Sequence, residues 1–182
     1  MFTKSFALGA LAIALAAPAV HANPKVGGAA MFASKNIIEN AVKSPAHTTL
    51  VAAVKAAGLV DVLQTAGPFT VFAPTNSAFA KLPAGTVDTL LKPENKDMLT
   101  KILTCHVVPA LAVAKAASKM VMEDGGSHKV KTVGGCELTL TMKGPYLMVT
   151  DENGGEAKIT IADVMQSNGV IHVINRVLLP KS

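Results

Sequence analysis

The chain has 182 residues, half of them hydrophobic, and a formal net charge of +5 at pH 7. A chain of this length forms one domain after loss of a short leader, and such a domain buries a sufficient core without metal ions. The basic residues are spread along the chain and include a single arginine, and there is one tyrosine. This composition excludes a nucleic-acid surface, which needs clustered basic residues and stacking aromatics.

The N-terminus has the parts of a secretory signal peptide. Lys4 precedes an apolar run over residues 6–17, and small residues occupy the positions that a cleavage site after Ala22 requires. Residues 1–22 are therefore predicted to be the signal peptide and residues 23–32 a flexible start of the mature chain. A membrane anchor is the alternative, but the run is shorter than the roughly 20 residues that span a bilayer. We expect a protein that is secreted, periplasmic or at the cell surface, with no transmembrane segment after cleavage.

Helical patterns come first along the mature chain. Residues 46–57 are rich in alanine, repeat apolar residues at helical spacing and end at Gly58, a common C-terminal stop. Pro93 suits the first turn of a later helix. Further helical segments are predicted over residues 59–64, 83–91, 93–103 and 110–120.

Residues 70–83 combine a strand and a short helix. β-Branched and aromatic residues favour the strand, and Pro74 then removes a backbone donor and ends it. Thr75 is a suitable N-cap for a helix over residues 76–81, and Pro83 stops that helix.

Beyond residue 104 the pattern changes to short strands separated by turn residues. Alternating or continuous apolar residues predict strands over 130–132 and 138–142, with a break at Gly134 and Gly135, and further strands over 146–150, 157–161 and 170–174. The strands over 146–150 and 157–161 are expected to form a hairpin. Asn168 and Gly169 form a favoured turn dipeptide before the last strand. That strand is apolar on both faces apart from His172, which predicts burial on both sides.

Two cysteines, Cys105 and Cys136, both lie in predicted strands. In an oxidising compartment a remaining pair is commonly bridged, and we predict a disulfide between them. Closing about 31 residues would stabilise the fold by roughly 3 to 4 kcal/mol on the chain-entropy model. Two buried free thiols are the alternative, because strand geometry can hold the two Cα atoms more than about 7 Å apart.

Four segments occur in an order and spacing that resemble a bacterial fasciclin domain. They are HTTLVAAVKAAGLVDVL from His47, TVFAPTNSAFAKLP from Thr70, LTCHVVPA from Leu103 and DVMQSNGVIHVINRVLLP from Asp163. The resemblance implies a single domain over residues 33–181 with an α+β fold. That fold is a fasciclin-like wedge, in which several helices pack on a twisted antiparallel sheet of about seven short strands. It also implies an exported, non-enzymatic role in adhesion, with a cell-surface or matrix protein or a polysaccharide as partner.

The segments assigned to integrin contact in animal members of the family differ here. Where the family commonly has tyrosine and histidine, this chain has Cys105 and His106, and where the animal members have aspartate and isoleucine, it has Asp163 and Val164. The resemblance marks these four residues as candidates for partner binding. It assigns no receptor.

A hydrolytic site built from His106, His172, Asp163 and Ser167 is conceivable from residue types alone. The chain lacks the strand-turn-helix nucleophile elbow of the Gly-x-Ser-x-Gly type that would accompany it. The two histidines are instead expected to form hydrogen bonds inside the fold, with Asp163 as one partner. We predict no catalytic residue and no cofactor.

A periplasmic small-ligand or copper-binding protein is the alternative function. Eight methionines, five histidines and two cysteines supply suitable metal ligands. However, Cys105 and His106 are adjacent in a predicted strand, so their side chains point to opposite faces and do not readily share one ion. A ligand carrier would have a concave apolar pocket, or a metal that copurifies.

Overall fold

The computed structural model describes residues 23–181, and the predicted signal peptide lies outside them. The helices in this range are α1 (Ile37–Ala41), α2 (Thr48–Ala57), α3 (Val60–Gln64), α4 (Asn76–Phe79), α5 (Thr86–Leu90), α6 (Lys96–Thr104) and α7 (Ala114–Glu123). The strands are β1 (Lys25–Val26), β2 (Ala29–Ala30), β3 (Phe69–Pro74), β4 (Val107–Val108), β5 (Ser127–Lys131), β6 (Glu137–Lys143), β7 (Tyr146–Thr150), β8 (Glu156–Gln166) and β9 (Gly169–Ile174). None of these helices has the length and apolar composition that a bilayer crossing requires.

Within the described range, seven strands form one sheet in the order β4-β3-β9-β8-β7-β6-β5. All neighbours in this sheet are antiparallel except β3 and β9, which run parallel from the Phe69–Gly169 pair to the Pro74–Ile174 pair. The α+β architecture and the seven-stranded sheet confirm the prediction from the sequence. The β3–β9 pair corrects the expectation of a wholly antiparallel sheet. All six residues of β9 are buried, as its apolar composition predicts.

Local signals in the sequence set the ends of several helices. α2 ends at Gly58, which has a φ of 73°, a left-handed conformation that glycine adopts without strain. Thr75 caps α4, since its hydroxyl oxygen accepts a hydrogen bond from the Ala78 N–H. The helix predicted over residues 93–103 begins as a 3₁₀ turn at Pro93 and continues as α6.

Residues 23–32 form a hairpin, although the sequence predicts a flexible segment. β1 and β2 pair in antiparallel register, and the Met31 N–H donates to the Pro24 carbonyl at 2.9 Å. Val26 and Met31 are buried in the same cluster as the first helices. Two buried side chains thus hold a segment that is too short to show a periodic pattern in the sequence.

The turn between β8 and β9 consists of Ser167 and Asn168, one residue earlier than the predicted dipeptide. Gly169 already belongs to β9 and pairs with Gln166 of β8. It also pairs with Phe69 in the parallel ladder, and the Phe69 N–H donates to the Asn168 carbonyl at 3.1 Å. The parallel partner, which local sequence does not reveal, therefore shifts the turn.

The Asn168 side chain joins the helices to the end of the sheet. Its Oδ1 accepts a hydrogen bond from the Ile37 N–H at 3.0 Å, and its Nδ2 donates to the Leu63 and Thr65 carbonyls at 2.8 and 3.0 Å. These bonds satisfy backbone groups at the start of α1 and the end of α3, where intrahelical partners are missing. Asn168 is therefore a structural residue as well as a turn residue.

The buried apolar side chains form two clusters. The larger one packs α1 to α6 against β3 and β9. The smaller one packs α7 against β6, β7 and β8. Ile171 and Val173 of β9 belong to the larger cluster and Ile174 to the smaller. β9 thus contributes side chains to both cores.

Replacement of Gly169 by alanine is expected to destabilise the protein by about 1 to 3 kcal/mol, because overpacking forces the surrounding backbone to move. A Cβ atom at Gly169 would lie 2.1 Å from the Phe69 carbonyl oxygen, which is part of the parallel ladder. Denaturant unfolding measures the loss. Gly154→Ala is the control, since Gly154 also needs an unusual φ of 78° but has open space around it. An equal loss in both variants would contradict crowding as the cause.

Candidate functional site

His106 lies between α6 and β4 and is buried, with 2% of its surface exposed. Its Nε2 accepts a hydrogen bond from the Leu178 N–H at 2.9 Å, so the proton is on Nδ1, which donates to the Ile102 carbonyl at 2.8 Å. Burial lowers the pKa of His106 to about 4, although the Ile102 carbonyl and the charge of Asp151 favour the protonated ring. His106 is therefore neutral at physiological pH, and both ring nitrogens are used inside the fold.

His172 of β9 is held in a similar way. Its Nδ1 accepts from the Asp163 N–H at 3.2 Å, and its Nε2 donates to the Ala112 carbonyl at 2.7 Å. Burial lowers the pKa of His172, an effect that the Ala112 carbonyl and the Asp163 charge oppose. The ring also stacks on Phe72 with 5.8 Å between ring centroids. Both histidines therefore form internal hydrogen bonds, as predicted from the sequence.

Asp163 lies in an irregular part of β8 and holds the start of α7. Its φ is 55°, and the register between β8 and β9 shifts between Ile161 and Val164. Its Oδ1 accepts from the Ala114 N–H at 2.7 Å, at a helix end where Val113 offers no side-chain cap. The carboxylate thus satisfies a free backbone donor of α7. Asp163 is the predicted partner of His172, but the contact is made by its backbone N–H.

The four residues that the resemblance marks for partner binding do not form one surface. Cys105, His106 and Val164 are buried, with at most 2% of their surface exposed, whereas Asp163 is exposed. Cys105 forms the predicted disulfide with Cys136, with their Cα atoms 5.4 Å apart. A partner that approaches this part of the protein would reach Asp163 and not the other three.

Within residues 23–181, the hydrolytic arrangement that residue types alone make conceivable is not assembled. His106 has both nitrogens bound within the fold, and Asp163 directs its carboxylate to Ala114 and not to a histidine ring. Ser167 lies in the β8–β9 turn, where its backbone N–H donates to the Lys35 carbonyl at 2.9 Å. Between residues 23 and 181, no three His, Cys, Asp or Glu side chains are placed to hold a metal ion together.

An open groove of about 320 Å³ lies where the β8–β9 turn meets the loop over residues 66–68. It is lined by two exposed apolar side chains, Leu111, which is 49% exposed, and Met165, which is 39% exposed. Met165 follows Asp163 by two residues in β8. We call this groove, with Leu111 and Met165 as its exposed apolar side chains, the turn groove.

Thr70 fixes the loop that carries Leu111. Its hydroxyl donates to the Ala110 carbonyl at 2.6 Å and accepts from the Ala112 N–H at 2.8 Å. These bonds, between β3 and the loop, keep residues 110–112 out of a helix, so α7 begins at Ala114 and not at the predicted residue 110. Leu111 is therefore presented on a fixed loop.

A second concave feature, whose place the sequence does not predict, is a cavity of about 70 Å³ between α1, α2, α3 and the β3–β4 edge of the sheet. Its walls include Leu50, Val54, Leu59, Phe69, Val71 and Val107. Three further lining residues, Val42, Val62 and Val133, are 45 to 46% exposed and form its mouth. The sequence pattern does not reveal this cavity, because apolar residues that line a void and those that fill a core have the same spacing.

Comparison with known proteins agrees with this fold. The fasciclin domain family matches residues 45–180. Protein sll1483 of Synechocystis sp. (strain ATCC 27184 / PCC 6803 / Kazusa) is 47% identical over 176 residues, which cover 96% of this chain and 91% of that protein. Immunogenic protein MPB70 of Mycobacterium bovis is 34% identical over 192 residues, which cover 95% of this chain and 91% of the relative.

A solved structure has the same fold. It is a FAS1 domain pair from the insect cell adhesion molecule Fasciclin I, with a TM-score of 0.70 and 21% identity, over 80% of this chain and 51% of that one. The family match covers more than half of the chain, and its boundaries include all seven strands of the sheet. The chain belongs to the fasciclin domain family.

Proposed function

We propose that this protein is an exported, non-enzymatic adhesion module that contacts a cell-surface or matrix protein through the turn groove. Its relationship to the fasciclin family supports the adhesive role, since the structural relative is described as a cell adhesion molecule. The observation that carries the proposed surface is the pair of exposed apolar side chains, Leu111 and Met165, on fixed backbone.

Three properties of the turn groove suit a protein partner. Exposed apolar side chains that lie together, such as Leu111 and Met165, are a common feature of interaction sites. The backbone beneath them belongs to β8 and to a loop bonded to Thr70, so little ordering is needed on binding. Asp163, which is exposed and precedes Met165 by two residues in β8, adds a negative charge near Met165 that favours a partner with a basic residue. The apolar lining favours a protein over a polysaccharide.

The test compares cell attachment and partner capture for a deletion strain complemented with variants. Leu111→Glu and Met165→Glu are expected to reduce attachment, and capture of envelope protein by the purified domain, about tenfold or more, because each places a charge in an apolar contact. Met98→Glu is the control, since Met98 is 59% exposed on α6, away from the groove. If deletion leaves attachment unchanged, the adhesive function is wrong. If deletion reduces attachment but the groove variants attach as wild type does, the adhesive function stands and the turn groove is not the contact surface.

A further inference from the structure

The cavity between α1, α2 and α3 has an almost wholly apolar interior. The polar groups of its lining are engaged elsewhere: the Thr104 hydroxyl donates to the Thr100 carbonyl at 2.7 Å, and both nitrogens of His106 are bound within the fold. A buried water needs two to four polar partners, and apolar cavities stay dry. The interior is therefore suited to hydrocarbon.

The mouth of the cavity extends this apolar surface to the outside. Val42 directly follows α1, Val62 belongs to α3 and Val133 lies in the β5–β6 turn, and each has nearly half of its surface exposed. Val133 is held in place, because its N–H donates to the Val107 carbonyl at 2.7 Å. The three valines form a continuation of the cavity that only an apolar group would cover favourably.

One charged side chain lies at this mouth among the lining residues that the structure describes. Lys55 of α2 is exposed, and the described lining contains no carboxylate. The ion pairs within residues 23–181 join other lysines or His128 to acidic residues, and the Lys55 ammonium takes part in none of them. The site thus combines an apolar interior with a positive charge at its edge.

We propose that this cavity binds a single-chain aliphatic carboxylate, with the end of the chain inside, its middle on the three valines and its carboxylate beside Lys55. The cavity volume of about 70 Å³ limits what enters. An engineered apolar cavity of about 150 Å³ binds benzene, so this one accepts the last few carbons of a chain and no ring. The inference is independent of the adhesive function, because the cavity and the turn groove share no lining residue.

Calorimetric titration of the purified protein with decanoate and with decanol tests the proposal. The wild-type protein is expected to bind both, and decanoate more tightly. Lys55→Glu should weaken the affinity for decanoate about five- to tenfold and leave the affinity for decanol unchanged, because reversal of a surface charge acts only on the charged ligand. Lys115→Glu is the matched control, since Lys115 is exposed on α7 and does not line the cavity.

A second variant tests the apolar path. Val62→Asp should weaken the binding of both decanoate and decanol by about tenfold or more, and that of decanoate further because the new carboxylate repels it, whereas Met98→Asp, at another exposed apolar position, should change neither. Thermal unfolding of each variant shows that the fold is retained. The proposal is overturned if wild-type protein does not bind decanoate, if Lys55→Glu leaves its affinity unchanged, or if Val62→Asp binds both ligands as wild type does.

Discussion

Replacement of both Cys105 and Cys136 by alanine is expected to lower the free energy of unfolding by about 3 to 4 kcal/mol, from the entropy of the loop that the disulfide closes. The sequence separation is 31 residues. The bond joins the end of α6 to the residue before β6, and so links the helical cluster to the outer strands. For a chain of this size, the melting temperature should fall by roughly 10 °C.

The measurement is thermal or denaturant unfolding of the double variant beside wild type, with and without reductant. Reductant should destabilise wild type and leave the double variant unchanged. The Val133–Val107 and Gly134–Thr104 backbone hydrogen bonds, at 2.7 and 3.1 Å, remain in the variant and should preserve the fold. A variant with wild-type stability would show that the disulfide contributes little beyond these bonds.

Acidification from pH 7 to pH 4 is expected to lower the free energy of unfolding by about 3 kcal/mol through His106 alone. Each unit of difference between the folded and unfolded pKa values corresponds to about 1.36 kcal/mol. Burial lowers the pKa of His106 from 6.5 to about 4 in the folded chain. Between these values the unfolded chain takes up a proton that the folded chain does not, so protonation favours unfolding. The stability is fully present above pH 6.5 and is lost as the pH falls towards 4. Burial also lowers the pKa of His47 and His172, which adds to the loss.

Denaturant unfolding of wild type and His106→Gln at several pH values isolates this residue. The variant should be less stable at pH 7, because it loses the paired hydrogen bonds to Ile102 and Leu178. Its stability should also fall less steeply between pH 6.5 and 4, so the two curves converge. Parallel curves would mean that His106 does not titrate in this range, and that other groups cause the acid sensitivity.

The sequence predicted the features that depend on neighbouring residues. Gly58 and Thr75 set helix ends where expected, because a left-handed cap and a hydroxyl cap act within one turn. The hairpin of β7 and β8 also followed from its turn residues. The parallel pairing of β3 with β9 was not predictable, since two buried apolar strands about a hundred residues apart carry no local mark of their partner.

The candidate sites also combine features that the sequence predicts with features that it does not reveal. The internal hydrogen bonding of His106 and His172 followed from single polar residues in apolar segments, which need partners when buried. The turn groove depends on Thr70, which bonds a loop 40 residues away, so the exposure of Leu111 has no sequence signal. The cavity beside Lys55 depends on how three short helices meet, which is a property of packing rather than of pattern.

The interior position of β9 in the sheet constrains when the chain can fold. Among the strands of residues 23–181, Gly169–Ile174 is synthesised after all the others, yet it lies between β3 and β8 in the finished sheet. Until it emerges, β3 lacks its parallel partner and both hydrophobic clusters lack the side chains that β9 contributes. Contacts between distant segments also form slowly. The two parts of the sheet that β9 joins, β4–β3 on one side and β8–β7–β6–β5 on the other, therefore stay unconnected until β9 has been made.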